Sequence, residues 1–235
     1  MIPDIHLKAW IFDLADKLLR NGKADKAVCL MDIPDDWGME YHFDYYNAVY
    51  DRAIAFAKSF PDTLWCYGNH DLSYKWKKTE TGYSIFAEPT VLKRQQEFND
   101  VISNPANVAI VHRIGNVIFS HGGLVTEYIR WLDSKLVNAD LDKIIQVINR
   151  SATRKLWVDA SPLWLRGKDC KCESFRGDEY IQVVGHTPVE RILEDNHMIY
   201  TDVFSTYRDG RQIGRSEMMI IDTETKQYYV QGISR

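Results

Sequence analysis

Five short apolar runs in this chain stop on an aspartate, an asparagine or a histidine: IPDIHL, CLMDIPD, WCYGNHD, IFSHGGL and VVGHTP. Each is strand-like, although the first has at most three residues before Asp4 and must be held by other strands. The strand ends of an α/β sheet open onto a common crevice. The pattern therefore gathers Asp4, His6, Asp32, Asn69, His70, His121 and His186 in one place. Carboxylates and imidazoles crowded there lose hydration and repel one another unless a cation holds them.

The intervening segments fit this arrangement. LKAWIFDLADKLLRNGK carries Trp10, Ile11, Leu14, Leu18 and Leu19 at helical spacing and stops at Asn21 and Gly22. Residues 26–31 read as a strand, FDYYNAVYDRAIAFAKSF as a second helix ending before Pro61, and residues 63–67 as the next strand. Strand and helix alternate, which favours a mostly parallel sheet with helices on its faces. Residues 72–107, with Pro89 and Pro105, read as mixed and polar, and a hairpin about residues 115–116 ends at His121. Residues 125–180 read as a helical excursion, and three strand-like stretches, IQVVGHTP, MIYTDVF and SEMMIIDTETKQYYVQG, close the chain. The expectation is one domain over residues 1–235, with a cap or specificity insertion at 125–180.

Composition excludes some classes of function. With 45% hydrophobic residues and 29 basic against 33 acidic side chains, the chain is an ordinary globular one with a formal charge of −4. That balance argues against a nucleic-acid groove, which needs clustered Lys and Arg. No apolar run reaches the length of a membrane span, and MIPDIHLK lacks the basic region and apolar core of a signal peptide. A cytoplasmic location, away from membranes, is expected. Cys29 and Cys66 lie in apolar runs and read as core filling in a reducing compartment. Cys170 and Cys172 in GKDCKCES have too few neighbouring ligands for a complete zinc site and read foremost as an exposed, unliganded loop, with a disulfide involving one of them or a metal or redox role as lesser alternatives.

Mixed oxygen and nitrogen donors suit Mn, Fe or Zn better than Mg alone. Asp4 and His6 alternate by two and so share a face of an extended segment. Asp32, arriving on the neighbouring strand, is placed to bridge two ions. Gly68, Gly122, Gly123 and Gly185 accompany the ligand-type residues, where they permit close approach of backbone.

These blocks, in this order, resemble the calcineurin-like metallophosphoesterases, in particular the branch with the serine/threonine protein phosphatases, phage-type phosphatases and bis(5'-nucleosyl)-tetraphosphatases. Asp4-Ile5-His6 resembles the family's Asp-x-His block. Asp32 and Asp35 match the two aspartates of its Gly-Asp-x-x-Asp-Arg-Gly block. Gly68-Asn69-His70-Asp71 meets its Gly-Asn-His-Asp/Glu block in full, and His121-Gly122-Gly123 and Gly185-His186 meet the later histidine blocks. The resemblance implies a four-layer α/β/β/α sandwich with a mostly helical insertion. It also implies two divalent metal ions, Mn²⁺ foremost, with Fe or Zn as alternatives. Asp4, His6 and Asp32 would hold the first ion, and Asp32, Asn69, His121 and His186 the second. His70 would stay off the metals as proton donor, oriented by Asp35, and Arg166 in SPLWLR would grip the substrate phosphate.

The implied reaction is hydrolysis of a phosphomonoester by a water or hydroxide bridging the two ions. A phosphoprotein, a phosphorylated small molecule or a nucleotide such as a dinucleoside polyphosphate would present the same group. A phosphodiester nuclease and a non-catalytic protein-binding scaffold are the rival classes. Trp131, Trp157 and Trp164 in segment 125–180 either line or cover the groove or, as aromatics at helical spacing more often do, pack in the core. Two departures stand out: Met31 replaces the usual glycine, and Asp36 stands where relatives have a phosphate-binding arginine. An added carboxylate repels a phosphate dianion unless it points away or meets a cation, for which Arg52 and Arg94 are the sequence candidates. Asp71 is expected to steady the turn.

Overall fold

The computed structural model describes residues 1–233 as a mixed α/β protein with several sheets. Its elements are α1 (Trp10–Arg20), β1 (Val28–Cys29), α2 (Phe43–Ser59), β2 (Leu64–Cys66), α3 (Asn69–Trp76), α4 (Glu88–Val101), β3 (Val108–Ala109), β4 (Val111–Ile114) and β5 (Val117–Ser120). There follow α5 (Thr126–Leu132), α6 (Leu141–Asn149), α7 (Thr153–Leu156), β6 (Ile181–Val184), β7 (Leu193–Asp195), β8 (Met198–Tyr200), β9 (Glu217–Ile221) and β10 (Tyr228–Gly232).

The alternation of strand and helix yields an all-parallel sheet in the order β1-β2-β3, as expected for strands joined through helices. A second sheet, β4-β5-β6-β8-β7, is parallel in its middle and antiparallel at both edges. The last strand-like stretch folds back on itself as the hairpin β9-β10. No helix among the described residues is long and apolar enough to cross a membrane.

The core is built around Trp65 in the middle of the parallel sheet, 1% exposed and ringed by Phe12, Phe56 and Phe98 at centroid distances of 4.8–6.2 Å. In α2 the buried residues Tyr46, Val49, Tyr50, Ala53, Phe56 and Ala57 recur at three and four positions, the stripe an amphipathic helix must bury. The two sheets meet where the Cys66 thiol lies 3.5 Å from the Phe119 carbonyl and the His112 ring lies 3.2 Å from the Trp65 carbonyl. Cys29 and Cys66 are buried free thiols, whose ionisation burial opposes.

Residues 72–107 depart from the sequence reading, because α3 and α4 occupy much of this polar stretch. Pro89 reads as a breaker, yet it lies in the first turn of α4, where its missing N–H is not needed. The other difference is at Cys170 and Cys172, which are joined as a disulfide rather than standing as separate thiols.

Candidate metal centre

Residues 2–7 carry too few apolar positions for a strand of their own, and the neighbouring segment holds them. Ile2 N–H donates to the Val28 carbonyl at 2.8 Å, Ile5 to Met31 at 3.0 Å, His6 to Asp32 at 2.8 Å and Leu7 to Ile33 at 3.0 Å. This ladder sets Asp4 and His6 beside Asp32. Asn69 and His70 open α3 directly after β2, His121 follows β5, and His186 follows β6.

One ligand-type atom from each of Asp4, Asp32 and His121 lies within 4.8 Å of the others, and the same holds for His6, Asp32 and His70. Asp32 is common to both groups. Its Oδ2 lies 3.3 Å from His121 Nε2 and 3.7 Å from His6 Nε2, and its Oδ1 accepts the His70 N–H at 2.9 Å. His121 Nε2 also lies 2.9 Å from Asn69 Oδ1, and the His121 and His186 rings are 4.9 Å apart. The six residues expected to hold metal thus come together, and His70 lies among them beside His6 and Asp32.

The backbone is unusual at these positions. His6, Met31, Asp32, Asp35 and His186 have φ of 41°, 51°, 47°, 70° and 58°. Each left-handed non-glycine residue costs on the order of 1–3 kcal/mol and persists only where surroundings enforce it. Asp71 is one enforcer, since its carboxylate accepts the N–H groups of Asp32 at 2.8 Å, Ile33 at 3.1 Å and Gly68 at 2.9 Å. Asp4 is another, its Oδ2 taking the His186 N–H at 2.8 Å. Met31 adopts the conformation that a glycine there would take freely.

Two glycines make room for carboxylates. A Cβ on Gly68 would meet Asp32 Oδ1 at 2.0 Å, and one on Gly185 would meet Asp4 Oδ1 at 1.9 Å. Asp4 Oδ1 and His186 Nε2 are nevertheless buried with no hydrogen-bond partner. Buried atoms of this kind cost free energy unless they are satisfied. Two lone-pair donors facing one acidic pocket are what a bound cation satisfies, so these residues fit a metal centre.

Electrostatics agree. Burial raises the Asp4 pKa well above the usual carboxylate range, reinforced by the nearby charges of Asp202 and Asp32. His121 is buried, yet the Asp32 and Asp4 carboxylates push it up to about 9. His186 goes the other way, lowered by burial and by the charges of His121 and Arg166.

His70 Nδ1 lies 2.9 Å from Asp35 Oδ2, and Asp35 Oδ1 accepts from Tyr46 at 2.9 Å and Tyr74 at 2.5 Å. Against the effect of burial, the charge of Asp32, the Asp35 hydrogen bond and the charge of Glu80 push His70 up to about 10. Arg166 is exposed at the rim, its Nη1 donating to the His186 carbonyl at 2.5 Å. The cavity, of about 490 Å³, is lined by Asp4, His6, Asp32, Asn69, His70 and His186 at its base and by Trp37, Trp164 and Arg166 higher up.

Other expectations need correction. Arg52 pairs with Asp13, and Arg94 with Asp51 and Glu97, so neither reaches the cavity. Asp36 does face it, and the cation it meets is Lys8, at 2.7 Å, with Thr206 donating at 2.5 Å to its other oxygen. Of the three tryptophans named above, only Trp164 lines the cavity; Trp157 packs behind it at 4.9 Å, and Trp131 is exposed elsewhere.

Asp202, Glu80 and Lys8 were missed from sequence. Asp202 in MIYTDVF follows the end of β8 by two residues and obeys the same strand-end rule as the other acids, so a signal was present. Glu80 and Lys8 carry none: one sits in a polar turn, the other looks like an ordinary surface lysine.

Comparison with known proteins bears on this geometry. A solved structure of a cold-active protein-tyrosine phosphatase from a psychrophilic Shewanella species superposes with a TM-score of 0.53 at 18% identity, covering 97% of this chain and 78% of that one. An isoleucine-to-methionine mutant of a cold-active protein tyrosine phosphatase gives 0.52 at 16% identity, with the same coverage of 97% and 78%. Both are similar in fold. No curated protein matches the chain. The family model for calcineurin-like phosphoesterases matches residues 1–211. With that match spanning every residue assembled around Asp32, the chain belongs to the calcineurin-like phosphoesterase family, whose members are metal-dependent hydrolases.

Proposed function

We propose that the protein is a phosphomonoesterase that acts on phosphorylated polypeptides, with two divalent ions, Mn²⁺ foremost, held by Asp4, His6 and Asp32 and by Asp32, Asn69, His121 and His186. The observation that carries this reading is the convergence of those six residues, with Asp4 Oδ1 and His186 Nε2 buried and unsatisfied. When bound, such ions would supply an activated water and offset the charge of the phosphoryl group.

The chain's own residues do the rest. Asp35, held by Tyr46 and Tyr74, accepts the Nδ1 proton of His70 and leaves Nε2 free to give a proton to the leaving oxygen. In the metal-free protein the charge of Asp32, the Asp35 hydrogen bond and the charge of Glu80 favour the His70 cation. Arg166 offers a planar fork to the phosphoryl oxygens from the rim. The Lys8 ammonium offsets Asp36, so the added carboxylate does not leave an unbalanced negative charge beside the substrate. The segment 125–180 supplies Trp164 and Arg166 and is the specificity region.

Exposed Tyr41, Phe86 and Ile85 support a polypeptide substrate. Tyr41 packs on Phe86 at 4.6 Å, and their two loops are the ones that bring Trp37 and Gly82 to the cavity. The superposed solved structures are protein-tyrosine phosphatases, which points the same way. Trp37 and Trp164, both on the cavity wall, favour, as a second reading, a nucleotide base beside the phosphate. Hydrolysis of p-nitrophenyl phosphate, phosphopeptides and diadenosine tetraphosphate, each with Mn²⁺, Ni²⁺, Fe²⁺ or Zn²⁺ restored after chelation, separates the readings. Cleavage of the polyphosphate with phosphopeptides untouched would overturn the first.

A further inference from the structure

An asparagine side chain offers an amide oxygen at one end and an NH₂ group at the other, and only the oxygen can bind a cation. Something must decide which end of Asn69 faces inward. Glu80, on the turn after α3, accepts a hydrogen bond from Asn69 Nδ2. With the NH₂ group drawn to this acceptor, Oδ1 turns the opposite way, to within 2.9 Å of His121 Nε2.

We infer that Glu80 is a positioning residue, which locks the Asn69 amide with its oxygen toward the metal centre. The inference rests on reading Asn69 as a ligand. Its support is geometric. The Glu80 side chain is only 6% exposed, and its Oε1 is buried with no hydrogen-bond partner, 3.8 Å from His70 Nδ1. A surface turn can leave a carboxylate in water at no such cost, yet this one is held inward against two residues of the site. Because Asp35 already takes His70 Nδ1 at 2.9 Å, the close partner of Glu80 is the amide. A residue that fixes a ligand in this way influences metal affinity without touching the ion.

The test is calorimetric titration of Mn²⁺ into the chelated full chain, comparing wild type with N69A, E80A and E80Q. Wild type should take two ions, and N69A should weaken one of them. E80A should weaken that same ion, by about 10–100-fold, and spare the other. E80Q, whose amide can present either an oxygen or an NH₂ group to Asn69, should hold the orientation less firmly and fall between wild type and E80A. If N69A loses an ion while E80A binds both as wild type does, the positioning role is wrong and the site reading stands. Wild type taking fewer than two ions would remove the site reading and this inference together. The side-chain amide protons of Asn69 give a measurement free of variants: slow exchange in the metal-free wild type is expected, and rapid exchange of both would overturn the inference.

Discussion

His70 and Asp35 are joined at 2.9 Å through Nδ1 and Oδ2, and the second oxygen of the same carboxylate is taken by two buried tyrosine hydroxyls. Asp35 therefore has little freedom to turn away, and the imidazole it holds presents Nε2 to the cavity. Orientation of this kind is what separates a proton donor from a histidine that happens to be nearby.

H70N should lower kcat by about 10²–10⁴ on a substrate with a poor leaving group and by less on p-nitrophenyl phosphate, whose leaving oxygen needs little protonation. Metal analysis of the variant should still find both ions. Full turnover of H70N on the poor leaving group would refute the donor role. Y74F should lower kcat in the same direction but less, because Tyr46 remains on Asp35.

G68A and G185A should each damage metal binding without altering a ligand. The new methyl groups would lie 2.0 Å from Asp32 Oδ1 and 1.9 Å from Asp4 Oδ1, so the carboxylates or the backbone must move. Metal content after dialysis is the measurement, with G232A, where a Cβ meets nothing within 4 Å, as a control for handling.

Lys8 and Asp36 should be coupled in substrate binding. K8M leaves Asp36 without its counter-charge at the cavity wall and should raise KM for phosphomonoester dianions with kcat little changed. The double variant K8M/D36N should recover most of the loss. Independent effects of the two substitutions, measured as a double-mutant cycle, would contradict the coupling.

The metal-free protein should lose stability as pH rises from about 6 to 10. Glu80 and Asp71 are pushed up to about 7 by burial, His121 up to about 9 and His70 up to about 10 by neighbouring carboxylates. Each group binds its proton more tightly folded than unfolded. Its stabilisation is thus complete below the unfolded pKa and disappears as pH passes the folded one. His6 and His186, which are lowered, act only at more acidic pH. Melting temperatures of the chelated protein should therefore fall across this window. Mn²⁺ binding should release protons, because His121 must lose one to become a ligand. Calorimetry in two buffers of different ionisation enthalpy measures that release.

Much of this was legible in the chain because it is encoded locally. The strand ends, the helical spacing of Trp10 to Leu19 and of α2, and the residue blocks around Asp4, Asp32, Asn69, His121 and His186 are each carried by a few neighbouring residues, and strand ends of an α/β sheet share a crevice whatever the details. Tertiary structure alone decided the rest: that Lys8 rather than Arg52 or Arg94 meets Asp36, that Trp164 lines the cavity while Trp131 does not, and that Glu80 reaches back to Asn69. Those pairings join residues on separate segments or on an irregular turn. No periodicity or propensity reports such distances, because which side chains meet is fixed only when the sheets and loops have packed.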